Sequence, residues 1–266
     1  MDLQLNGKRA LVTGGSKGIG RAIARQLARE GVDVVIAARG EAELEAAARE
    51  VAAETGRRVV GLTVDTKSDA QVKALVERTV AALGGIDILV NAAAQVGGQA
   101  PPPTLADVTD PVFWDDVDVK VMGYLRVARE VAPHMIAAGW GRFINVSGLA
   151  ARQTGSIVGS MRNVAVAALT KNLADELGPR GINVTVVHPG LTRTEKVDAM
   201  IAARAANTGA TAADIEQRMA ANVLIGRLVD AAEVADLVAF LASPRSVAIN
   251  GDAIACGGGV RGPIHY

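Results

Sequence analysis

The run Lys8-Arg9-Ala10-Leu11-Val12-Thr13-Gly14-Gly15-Ser16-Lys17-Gly18-Ile19-Gly20 passes from apolar to glycine-rich, and helical spacing takes over behind it. Ala10 to Val12 is too short an apolar run for a helix and suits a buried strand. Beyond Gly20, the residues Ala22, Ile23, Leu27 and Ala28 recur at helical spacing until Gly31, where a helix would stop. The unit is strand, glycine turn, helix. Some of its glycines supply positive φ. Others remove the Cβ that would hold a pyrophosphate away from the backbone N–H groups and the positive end of the helix. A glycine triplet alone is weak evidence, but in this setting it predicts a dinucleotide site.

Outward from that unit, valine-rich runs alternate with helical stretches, as in a parallel sheet covered on both faces. Strands are expected at Asp33–Ala38, Val59–Val64, Ile86–Val90, Arg142–Val146, Ile182–Val187 and Ala253–Cys256. Helices are expected at Glu41–Glu54 with Gly56 as its stop, from Ser68 to Leu83, from Pro111 to Ala138, and from Gly159 to Leu177. Pro101-Pro102-Pro103 marks an irregular loop bordering a pocket. Residues 192–225 form a variable helical excursion, and Asp230 with Glu233 resembles a capping box opening a last helix to Ala242. The fold class is therefore α/β, a Rossmann-like doubly wound parallel sheet of about seven strands, with residues 1–266 as one domain.

Composition narrows the function classes. Lys plus Arg and Asp plus Glu are each 28, and this balance provides no basic field for nucleic acid or anionic lipid. Aromatics are only 3%, so Ala, Val, Leu and Ile must build the core. One cysteine, Cys256, rules out an internal disulfide, and three histidines without ligand spacing argue against a metal site. With no apolar run long enough to span a membrane and no recognisable leader, the chain reads as a cytoplasmic protein of a reducing compartment.

These features together resemble the short-chain dehydrogenase/reductase family, over nearly the whole chain. Thr13 to Gly20 matches that family's T-G-x-x-x-G-x-G, and Leu89-Val90-Asn91-Ala92-Ala93-Ala94 matches its L-V-N-N-A-G with two departures. Pro189-Gly190-Leu191-Thr192-Arg193-Thr194 matches its P-G-x-x-x-T beside the nicotinamide, and Asp65 matches its adenine-contacting acid. The resemblance implies a cofactor site of Gly14, Ser16, Lys17, Gly18, Ile19, Gly20, Arg39, Asp65, Asn91, Pro189, Gly190, Thr192 and Thr194. It also implies a homodimer or homotetramer joined through the long helices that start near Pro111 and Gly159.

An NAD site carries an acid at the end of the second strand to hold the ribose 2′-hydroxyl. Here that position is Ala38, followed by Arg39. Arg39 can fork onto a 2′-phosphate and Lys17 can add a point charge, which favours NADP over NAD.

The family's catalytic residues are a different matter. Its proton donor is the tyrosine of Tyr-x-x-x-Lys, but the only tyrosines here are Tyr124 and Tyr266, and neither has lysine four residues on. Aligning on Leu169-Thr170-Lys171 places Gly159 at the tyrosine position and Asn163 at the lysine position. In Asn145-Val146-Ser147-Gly148 the family's serine falls on Gly148, while Ser147 is one step early and points to the other face by strand alternation, unless the register slips by one. Lys120 occupies the place of the family's helix asparagine. Amide and amine have traded positions, and Lys120, Ser147 and Asn163 are the polar candidates left for catalysis.

Three functions fit this pattern. The first is an atypical NADP-dependent oxidoreductase on an unknown carbonyl or alcohol, with Lys120 as acid/base, its pKa lowered by burial. The second is a non-catalytic NADP-binding subunit paired with an active relative. The third is a lyase or isomerase using the emptied pocket. Other signals are weaker: Arg152 and Arg162 lie near the vacated positions and read either as solvated arginines or as contacts for an anionic substrate, while His134 reads as a surface or helix-dipole residue and His188 as structural. The excursion with Met200, Ile201, Met219 and Leu224 reads as a partly apolar substrate lid, and His265 and Tyr266 as residues able to reach a neighbouring subunit.

Overall fold

The computed structural model describes residues 1–94 and 102–260, so Pro101, His265 and Tyr266 lie outside the described residues. In chain order the strands are β1 (Arg9–Thr13), β2 (Asp33–Ala38), β3 (Val59–Thr63), β4 (Ile88–Asn91), β5 (Gly141–Val146), β6 (Ile182–Pro189), β7 (Thr192–Arg193), β8 (Val229–Asp230) and β9 (Ala253–Cys256). The helices are α1 (Gly18–Arg29), α2 (Glu41–Thr55), α3 (Asp69–Leu83), α4 (Asp110–Val117), α5 (Gly123–Ala138), α6 (Ile157–Leu177), α7 (Glu195–Thr208), α8 (Ala212–Met219) and α9 (Ala231–Ala242). Seven strands form one sheet in the order β3-β2-β1-β4-β5-β6-β9, every neighbouring pair parallel. β7 and β8 form a separate two-stranded ribbon.

Strand alternation divides the core in two. In β1, β2 and β4, the residues Ala10, Val12, Val34, Ile36, Ile88 and Val90 face one way, against Ile23 and Leu27 of α1, Leu44 and Val51 of α2, and Val234 and Val238 of α9. Their neighbours Leu11, Val35, Ala37 and Leu89 face the other way, onto Val72 and Leu75 of α3, Val127 and Val131 of α5, and Leu177 of α6. The strands thus bury both faces, which is why they read as continuous apolar runs.

The chain reverses direction of winding between β1 and β4, and the carboxyl ends of these strands open a crevice there. Thr13 clamps the crevice floor, its hydroxyl accepting from the N–H groups of Ala92 and Ala93 at 3.2 and 3.4 Å.

Three local departures from the sequence reading bear on the site. The expected helix from Pro111 to Ala138 starts at Asp110 and is interrupted by a π turn, Asp118–Met122, between α4 and α5. α6 begins at Ile157, ahead of Gly159, because the Ser156 hydroxyl caps it by accepting from Gly159 N–H at 3.0 Å. Residues 192–225 contain β7, α7 and α8, and build a small core of Ile201 and Ile215, with Met219 packed against it. Other elements shift by only one or two residues at their ends, β4 running Ile88–Asn91 and β6 reaching Pro189, while Ser68 caps α3 and Asp230 with Glu233 forms a reciprocal capping box on α9.

Candidate active site

The glycine turn is shaped by two close approaches. Gly14 has φ +72°, and its N–H donates to the Ala37 carbonyl at 2.7 Å. A Cβ on Gly20 would stand 2.2 Å from the Gly14 carbonyl oxygen, so α1 seats against the turn only without one. At Gly18, the first residue of α1, a Cβ would meet nothing nearer than Thr194 at 3.6 Å, and no side chain of the N-cap residue Lys17 satisfies the helix end. The Gly18 N–H instead donates to the Glu195 carboxylate at 3.2 Å, and Arg21 pairs with the same carboxylate. This end of α1 already holds a negative group, so the donors present fit a dinucleotide's pyrophosphate. Sequence reasoning missed Glu195, which lies far along the chain from Gly18 and is the first residue of α7, directly after Thr194.

The remaining expected cofactor residues distribute around the crevice. Ser16 is buried and Ile19 packs on the core. Arg39 is exposed at the end of β2, whereas Lys17 is tied to Glu43 at 3.1 Å. The Asp65 carboxylate accepts from Lys67 N–H at 3.0 Å, just past β3. Pro189 ends β6, the Gly190 N–H donates to the Cys256 carbonyl at 3.2 Å, and the Thr192 hydroxyl donates to the Gly190 carbonyl at 3.0 Å. The Asn91 side chain turns inward: its amide donates to Asn145 at 3.0 Å, Asn145 donates to Thr170 at 2.9 Å, and Asn91 Oδ1 is left without a partner.

Beside this crevice the three polar candidates come together. Lys120 sits in the π turn with 4% exposure, and its Nζ donates to the Ser147 carbonyl at 2.8 Å. The Ser147 hydroxyl lies 3.1 Å from both the Asn163 carbonyl and Asn163 Oδ1. Ser147 keeps the alternation of β5: its N–H still donates to the Val187 carbonyl at 2.8 Å, and its side chain faces α6 as that of Asn145 does two residues earlier. Gly148 faces the same way, since a Cβ there would point at Asn163 Nδ2, 3.3 Å off. At Gly159 a Cβ would lie 2.7 Å from the capping Ser156 hydroxyl, so the helix start uses the space a larger side chain would need.

Electrostatics differ among these groups. Burial, and then the neighbouring Arg162 guanidinium, push the Lys120 ammonium down to about 7, with Asp116 pulling in the opposite sense. His188, on β6, is pushed down to about 4 by burial and by Arg152 and Lys120, so it is neutral at physiological pH. Its Nδ1 accepts from Gly148 N–H at 3.4 Å, which leaves the ring proton on Nε2. The Tyr124 phenol is buried, donates to the Val146 carbonyl at 2.9 Å, and is raised well above its ordinary pKa by burial. It is a structural phenol. Arg152 donates to the Ala253 carbonyl at 2.8 Å and Arg162 pairs with Asp116, so Arg162 is already engaged by a carboxylate. His134 is exposed, as expected.

The comparisons decide the family. A model described as enoyl-(acyl carrier protein) reductase matches residues 14–261. A putative ketoacyl reductase of Streptomyces coelicolor is 35% identical over 254 residues, 94% of this chain and 95% of that protein. The chain belongs to the short-chain dehydrogenase/reductase family. Among other members, the 3-oxoacyl-(acyl-carrier-protein) reductase FabG of Escherichia coli is 32% identical over 97% of this chain and 99% of its own length. L-sorbose reductase of Gluconobacter frateurii, solved with NADPH and L-sorbose, superposes with a TM-score of 0.92 at 30% identity, covering 99% of this chain and all of that one. These short-chain dehydrogenase/reductase relatives carry reductase names, and nothing in them supports the non-catalytic subunit or the lyase and isomerase readings. Among the described residues no cluster of metal-ligating side chains occurs, and no helix is long and apolar enough to cross a membrane.

Proposed function

We propose that this protein is an NADPH-dependent carbonyl reductase in which the Lys120 ammonium replaces the family's phenol as proton donor. The observation that carries this reading is the burial of Lys120 on the Ser147 carbonyl, with an ammonium that titrates near 7. A group with that proton affinity is half protonated at working pH, where general acids are most effective. Gly14, Gly18, Gly20 and the end of α1 would cradle the pyrophosphate, with Thr192 and Thr194 beside the nicotinamide. NADPH, when bound, supplies the hydride. Lys120 Nζ gives its proton to the carbonyl oxygen and then regains one from solvent, while the Ser147 carbonyl fixes its direction. Asn163, as acceptor of the Ser147 hydroxyl, holds that carbonyl in place. Residues 192–225 serve as the substrate lid. The relatives named for ketoacyl reduction and for L-sorbose supply the substrate classes to try. Consumption of NADPH with a 3-oxoacyl thioester, with L-sorbose or with another ketone in a broad panel is the expected result. No NADPH consumption with any of them overturns the proposal.

NADP preference rests on Arg39, which is exposed directly after Ala38, the position where an NAD-binding acid would stand. A charge-assisted fork to phosphate contributes about 1.5–3 kcal/mol. Arg39→Ala is therefore expected to weaken NADPH binding about 10- to 100-fold and to leave NADH binding unchanged in calorimetric titration.

The proposed assembly is a homodimer or a larger homo-oligomer of this chain. Val112 and Trp114 on α4, and Met161 and Val164 on α6, are exposed apolar side chains on two helices that pack together. The Trp114→Glu/Val164→Glu double variant is expected to run as a monomer in light scattering, where the parent chain is a dimer or tetramer.

A further inference from the structure

An ion pair lies close to Lys120 along both helices that flank it. Asp116 lies four residues before it, on α4, and pairs across to Arg162 on α6. Arg162 is followed by Asn163, which accepts the Ser147 hydroxyl, and the Ser147 carbonyl accepts from Lys120 Nζ at 2.8 Å. We propose that the Asp116–Arg162 ion pair sets the charge carried by Lys120, with the two members acting on it in opposite senses as positioning residues. The inference rests on the reading of Lys120 as proton donor.

Both members are largely withdrawn from water, with side-chain exposures of 21% for Asp116 and 14% for Arg162. Solvent therefore screens their fields poorly. Arg162 Nε is buried without a hydrogen-bond partner, so Asp116 is the one carboxylate on this guanidinium among the described contacts. The other nearby groups do not compensate. His188 is neutral, Tyr124 is held as a phenol on Val146, Arg152 bonds to the Ala253 carbonyl, and Asp118 is paired with Arg126 at 2.7 Å. The net result is one cation and one anion flanking a buried amine. The cation disfavours its protonation and the anion favours it.

The test uses two variants that break the same ion pair, Arg162→Met and Asp116→Asn. If the pair were only a strut between α4 and α6, both would disturb Lys120 in the same direction. The electrostatic role requires opposite directions. Lys120 titration is followed by 15N NMR of its Nζ in the full-length protein, alongside the pH profile of NADPH consumption. Arg162→Met is expected to raise the midpoint by about one pH unit, and Asp116→Asn to lower it by about the same, roughly tenfold in proton affinity each way. The double variant Asp116→Asn/Arg162→Met, which removes both charges, is expected to return close to the parent midpoint and covers a single variant that fails to fold. Midpoints that move together, or stay put in all three, overturn the inference. Opposite shifts in the NMR titration that the pH profile does not follow uphold the inference and remove Lys120 from the role of proton donor.

Discussion

Lys120→Met is expected to lower kcat for carbonyl reduction about 10²- to 10⁴-fold while leaving NADPH affinity within about twofold of the parent. That loss corresponds to about 3–5.5 kcal/mol of barrier. Methionine is nearly isosteric with the lysine stem, so the π turn keeps its packing and only the Nζ contact to Ser147 is removed. NADPH affinity is the control, because the groups proposed for the cofactor lie at the carboxyl ends of β1 to β4, on α1 and on the segment from Pro189 to Thr194, not on the π turn. Binding measured by NADPH fluorescence then separates a lost proton donor from a lost cofactor site. The pH dependence has a definite sign. Reduction needs the protonated amine, so its rate is flat below about 7 and falls tenfold per unit above it. Oxidation of the product alcohol needs the neutral amine and rises through the same value. Native stability has a sign as well. The folded state holds the Lys120 proton less tightly than the unfolded chain, whose lysine titrates near 10.5, so its stabilisation is present above that value and is lost as pH falls toward 7. Lys120→Met therefore gains relative to the parent in denaturant titrations at pH 6 and loses that gain at pH 11. A methionine variant that reduces ketones at the parent rate would exclude Lys120 as the proton source.

What the sequence disclosed follows from which forces are local. The bounds of β2 at Asp33–Ala38 are legible because a strand buried on both faces is an unbroken apolar run between polar flanks. The Asp230 and Glu233 box is legible because its hydrogen bonds close within one turn. The π turn at Asp118–Met122 is not, since an i→i+5 step carries no side-chain pattern of its own. Ser147 follows the alternation of β5 on the face of Asn145, whereas Gly148, which alternation puts on the opposite face, also turns toward Asn163 because the chain leaves the ladder there. The ion pair of Asp116 with Arg162 and the reach of Glu195 to Gly18 join residues distant in sequence and brought together by the sheet. No local signal announces such contacts. Absence was easier to read than presence: with two tyrosines and no lysine four places past either, the lack of a Tyr-x-x-x-Lys string is plain from the chain alone.

Gly20→Ala is expected to destabilise the protein by about 3 kcal/mol and to abolish measurable NADPH binding, although alanine is the better helix former. Two effects compete at this position. Alanine in place of glycine inside a helix gains about 0.5–1 kcal/mol of backbone entropy and propensity. Against it stands a Cβ only 2.2 Å from the Gly14 carbonyl oxygen, a contact with backbone that no rotamer relieves. Relief requires α1 to slide off the turn or Gly14 to move, and Gly14 is itself held by its hydrogen bond to Ala37 at 2.7 Å and confined by Ala92, where a Cβ would lie 2.7 Å away. Overpacking of this kind costs about 1–3 kcal/mol at sites that yield, and more where backbone is fixed on both sides, so it outweighs the propensity gain. At roughly 2–4 °C of Tm per kcal/mol, thermal unfolding resolves it readily. Gly18→Ala is the matched comparison, with φ +57° but only an ordinary contact to Thr194 at 3.6 Å from its Cβ, and is expected to lose only about 1 kcal/mol. If Gly20→Ala proves neutral or stabilising while Gly18→Ala destabilises, backbone conformation rather than the seating of α1 on the glycine turn governs this stretch, and the close approach that opens the helix end to an anion is not what holds it in place.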